Sequence, residues 1–81
     1  MLFYEIGRVK KDRANVRCVD LYSANLADAK KAFAQVEVSN KNEVKYLGRE
    51  ESTDPHKTSF LVGGNWISAE RFFNRLLGGL L

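Results

Sequence analysis

The sequence predicts a single small α+β domain of β-β-α-β-β-α order, an antiparallel sheet with two helices packed on one face. Three observations carry this. Two apolar runs joined by a short polar segment open the chain as a hairpin would. Two later stretches repeat apolar residues at the three-and-four spacing of a helix. The chain has only 81 residues, too few for two separate cores to offset their conformational entropy, so residues 1–81 form one domain.

Leu2 to Val9 reads as the first strand, with Leu2, Tyr4 and Ile6 on one face and Phe3 and Val9 on the other. Both faces carry apolar groups. Ala14 to Tyr22 is the second, rich in β-branched and aromatic residues, and Lys10-Lys11-Asp12-Arg13 connects the two. Asn25 is the expected N-cap of a helix starting at Leu26, with Asp28 near its positive end. Leu26, Ala29, Ala32, Phe33 and Val36 then form one apolar stripe. After the turn-forming Ser39-Asn40-Lys41-Asn42, strand character runs from Glu43 to Arg49. The polar stretch from Glu50 to Lys57, with Pro55 disfavouring helix at Asp54, predicts an exposed loop. Thr58 to Val62 forms a fourth strand, broken by Gly63-Gly64-Asn65. Ser68 caps a last helix whose core face is Ala69, Phe72, Phe73, Leu76 and Leu77, and Gly78 stops it. No repeat or low-complexity segment interrupts this order.

Composition narrows the function classes. Apolar residues make up 44% of the chain, enough for a core without disulfides or metal. No apolar run has the length needed to span a membrane, and the first residues lack the basic-then-apolar pattern of a secretion signal. A single cysteine, Cys18, fits a reducing compartment, so a cytoplasmic location is expected, with the thiol buried as a small hydrophobe.

Chemistry-bearing residues are sparse. One cysteine and one histidine cannot furnish a zinc site, no calcium loop is present, and no cofactor motif occurs. Gly63-Gly64 lacks the Lys and hydroxyl residue that follow the glycines of a phosphate-binding loop. Trp66 is expected as a partly buried anchor. His56 is the one candidate for a small, metal-independent ribonuclease, assisted by Arg and Tyr, and its Pro-His-Lys setting favours an exposed loop residue instead. No catalytic or metal-binding residue is assigned, and the protein is read as a non-enzyme.

Charge is the localised feature. Residues 8 to 17 hold Arg8, Lys10, Lys11, Arg13 and Arg17 against Asp12 alone, a formal +4, while the whole chain is +3. The remainder is therefore −1, and the basic character comes from one hairpin. Arg and Lys on such a ribbon fit a nucleic-acid backbone or groove, with Tyr4 or Tyr22 adding base stacking if exposed. The same cations could serve only to solvate a sheet edge against self-pairing. Arg71 and Arg75, one helical turn apart, could extend the ribbon or pair with acids.

The leading expectation is a non-enzymatic macromolecule-binding domain engaging nucleic acid, or a nucleoprotein complex, through the basic hairpin. An acidic protein surface is a further partner for those cations. The alternative class is a compact protein-protein inhibitor or adaptor, like small phage and mobile-element accessory proteins that block a host or defence enzyme, and it rests on analogy alone. An open sheet edge would also permit a homodimer.

Overall fold

The computed structural model describes residues 2–12, 15–51 and 54–79. Its elements are β1 (Leu2–Lys10), β2 (Arg17–Ser23), α1 (Leu26–Gln35), β3 (Glu43–Glu51), β4 (Asp54–Val62), β5 (Asn65–Ser68) and α2 (Ala69–Leu77). All strand pairs are antiparallel, and the five-stranded sheet runs β2-β1-β3-β4-β5. The α+β class and the antiparallel sheet are as expected, and β5 is additional. Gly63 and Gly64 take φ of 56° and 83°, the left-handed pair that a two-residue hairpin turn requires, so Asn65–Ser68 folds back beside β4.

The helices do not share a face, which corrects the sequence expectation. Neighbouring residues on a strand point to opposite sides of the sheet, and the central strands are apolar on both. Tyr46, Phe60 and Ile67 pack with Val9, Phe72 and Leu76 on the α2 side. Leu47, Leu61 and Trp66, each adjacent to one of those residues, pack with Tyr4, Ile6 and Ala29 on the α1 side. The domain is thus three-layered, with α1 over β1, β2 and β3 and α2 over β4 and β5. Phe60 is the centre of the α2 layer, stacked on Phe72 at 4.2 Å and edge-on to Tyr46 and Phe73.

Both helix starts follow their sequence signals. The Asn25 side chain accepts from the Ala27 and Asp28 amides, and the Ser68 hydroxyl from the Arg71 amide. Asn25→Ala is expected to lower stability by about 1 kcal/mol, measured as a lower urea midpoint at unchanged slope.

Other expectations shift locally. Leu77 is 66% exposed, because the α2 core stripe is satisfied by Phe72, Phe73 and Leu76. The expected 50–57 loop is mostly strand: β3 continues to Glu51 and β4 starts at Asp54, with the Glu51–Asp54 pair closing the hairpin. Cys18 is exposed because β2 is an edge strand. No helix among the described residues is long and apolar enough to cross a membrane.

Candidate nucleic-acid interface

The β1–β2 register divides the cations of the hairpin. Arg8 lies opposite Cys18, while Arg17 lies opposite Val9, so the two arginines project from opposite faces. Arg8 bridges Asp20 at 3.3 Å and Glu43 at 4.0 Å and donates to the Glu37 carbonyl. Arg17 Nη1 donates to Glu5 Oε1 on the other face. Both guanidiniums are therefore engaged inside the domain and hold the hairpin to the sheet.

Lys10 and Lys11 have no ion-pair partner among the described residues. Lys10 sits opposite Glu43 at the end of β1, and the Lys11 amide donates to the Asn42 carbonyl at 2.7 Å. That bond brings the β1–β2 turn against the turn before β3. Asn40 fixes the second turn, its side chain accepting from the Asn42 amide and its carbonyl from the Glu43 amide. Lys41, exposed in this turn, thereby joins Lys10 and Lys11 at one end of the sheet. Sequence reading missed Lys41 because it lies thirty residues beyond Lys11, with only the turn chemistry of Asn40 and Asn42 as a signal. Arg13 lies outside the described residues.

On the α2 face, the neighbouring half of the sheet is built around Glu5. Glu5 is 1% exposed and sits opposite Gly48, while Tyr46 sits opposite Gly7. Each large side chain thus lies over the glycine of the facing strand. A Cβ on Gly48 would approach Glu5 Cγ to 3.0 Å, and one on Gly7 would approach Tyr46 Oη to 2.9 Å. Burial pushes the Glu5 carboxyl above its ordinary value of 4.5, Arg17 opposes the rise, and Glu50 adds to it. Burial also raises the Tyr46 phenol, with Glu5 contributing and Arg17 opposing. Glu5 Oε2 and Tyr46 Oη have no hydrogen-bond partner among the described residues.

Two depressions mark the surface. One of about 230 Å³ is lined by Arg8, Val9, Lys10, Val16, Cys18 and Glu43 beside the hairpin. The larger, about 440 Å³, is lined by Leu2, Arg49, Glu51, Lys57 and Ser59. Its cations are already engaged: Arg49 lies over the Trp66 ring at 4.6 Å, confirming Trp66 as a packed anchor, and Lys57 is 3.8 Å from Asp54. No cluster with metal-ligand composition occurs among the described residues. His56 falls within β4, and its side chain lies outside what is described.

No protein-family model, curated protein or solved structure matches the chain.

Proposed function

We propose that this protein is a non-enzymatic domain that binds nucleic acid, alone or in a nucleoprotein complex, through the lysine-bearing end of its sheet. The observation that carries this reading is the convergence of Lys10, Lys11 and Lys41 without ion-pair partners among the described residues, while Arg8 and Arg17 are taken up in ion pairs. Three ammonium groups at one end supply sequence-independent attraction for phosphates.

Three phosphate contacts imply a log–log salt slope of about −2 on single strands, so affinity falls roughly twentyfold between 50 and 200 mM salt. Fluorescence anisotropy with labelled oligonucleotides measures this. The triple variant Lys10→Glu, Lys11→Glu, Lys41→Glu is expected to lose binding, and unaltered affinity in that variant sinks the proposal.

The edge position of β2, with Leu21 53% and Tyr22 63% exposed, supports a second reading. In it a protein partner, as for an inhibitor or adaptor, or a second copy of this chain adds a strand along β2. Light scattering across a concentration series tests the self-pairing form, which a persistent monomer removes.

A further inference from the structure

The larger depression, about 440 Å³, lies at the end of the sheet away from the lysines, since its Leu2 and the distant Lys10 are the two ends of β1. From Arg49 to Glu51 β3 advances two residues, while β4 advances five between their partners, Ser59 and Asp54, so the β3–β4 ladder is irregular beside the depression. Arg49 and Glu51 project from one face, about 7 Å apart along the strand. Ser59 lies opposite Arg49, and Leu2 opposite Glu51. The Trp66 ring, 4.6 Å away, takes up the face of the Arg49 guanidinium. Its N–H edge has no hydrogen bond or ion pair among the described residues, and Glu51 has no ion-pair partner among them. Lys57, the other cation of the lining, is 3.8 Å from Asp54. A held guanidinium and a carboxylate thus stand side by side in one depression, each without a counter-charge.

We propose that this depression binds a small zwitterion with a carboxylate and an ammonium on one carbon, an α-amino acid with an apolar side chain. The carboxylate meets the N–H edge of Arg49, whose planar donors match it in a bidentate pair, and the Ser59 hydroxyl supplies a further donor. The ammonium meets Glu51, and the side chain lies against Leu2. Charge selects this class. A phosphate or dicarboxylate would set its surplus negative charge against Glu51, and a plain cation would leave Arg49 unmatched and facing it. The volume of about 440 Å³ falls within the roughly 300–1,000 Å³ usual for small-molecule sites. This site goes beyond the nucleic-acid reading and does not depend on it.

Trp66 is the only tryptophan of the chain, so its emission reports on occupancy beside Arg49. Leucine, N-acetyl-leucine and leucinamide, titrated at millimolar concentrations and neutral pH, separate the zwitterion from its anionic and cationic halves. Leucine is expected to bind about tenfold more tightly than either capped form, the worth of one charge-assisted hydrogen bond. Glu51→Gln should bring leucine down to the affinity of N-acetyl-leucine and leave N-acetyl-leucine unchanged. Arg49→Lys keeps the charge and loses the planar fork, and should weaken both carboxylates about tenfold. Unchanged amide spectra of the unliganded variants separate these losses from misfolding. Equal affinity for leucine and N-acetyl-leucine overturns the zwitterion site. So does the absence of both a Trp66 response and amide shifts at Arg49, Glu51 and Ser59. Neither result bears on oligonucleotide binding at Lys10, Lys11 and Lys41, which anisotropy measures separately.

Discussion

Gly7→Ala should abolish or severely weaken folding. The added Cβ would lie 2.1 Å from the Cys18 carbonyl oxygen and 2.9 Å from Tyr46 Oη. The first obstacle is backbone, so no rotamer change relieves it and β2 must move away from β1. The position is already special, because the β1–β2 register shifts between Ile6 and Gly7, a bulge that draws the edge strand close. Overpacking usually costs about 1–3 kcal/mol where side chains yield, and here the cost lies at or above the upper end. Gly48→Ala is the comparison: its Cβ meets Glu5 side-chain atoms at 3.0 and 3.3 Å, which have torsional freedom. Urea midpoints should therefore rank wild type above Gly48→Ala above Gly7→Ala. A Gly7→Ala protein as stable as Gly48→Ala would show that the bulge is not tightly closed.

The parts of the fold governed by local chemistry were legible in the sequence. Asn25 and Ser68 cap the helices as their residue types dictate, and the first strand pair follows from a short polar connection between two apolar runs. Features set by long-range pairing were harder. The adjacent pairs Tyr46-Leu47, Phe60-Leu61 and Trp66-Ile67 announce strands buried on both sides, a pattern that calls for a helix on each face. Reading each strand for a single core face hides this, and the two-sided apolar character of β1 was the available clue. Gly63-Gly64 is itself a hairpin signal, and reading it only as the break after Thr58–Val62 leaves out the four-residue β5 that folds back beside β4.

The candidate site was legible only in outline. Charge density located the hairpin, but a charge tally cannot tell which cations acquire carboxylate partners. Asp20 and Glu43 reach Arg8, and Glu5 reaches Arg17, through cross-strand register, which depends on a bulge that no residue in β2 advertises. The exposure of Tyr22 likewise follows from strand order, since a tyrosine on a central strand would have been covered.

The Glu5–Arg17 pair gives the second large effect. Arg17→Ala is expected to destabilise the fold by about 2 kcal/mol at pH 7, since it leaves a carboxylate buried without its counter-charge. That is less than the 3–5 kcal/mol typical of a wholly buried pair, because the Arg17 side chain is 36% exposed and water screens it. The cost should depend on pH in a defined direction. The folded-state Glu5 carboxyl titrates above 4.5, so between 4.5 and the raised value the native state holds a proton that the unfolded chain has released. Stability from this group is complete below 4.5 and falls as pH rises through the folded value. Arg17 opposes that rise, while Glu50 on β3 reinforces it, and the Tyr46 phenol, raised by burial, stays neutral throughout. Removing Arg17 lifts the Glu5 value further and widens the window of loss. The Arg17→Ala penalty should shrink towards pH 4 and grow towards pH 7, whereas in a Glu5→Gln background it should be small and level. An Arg17→Ala cost that is equal at pH 4 and pH 7 would mean that Glu5 is not the group Arg17 neutralises.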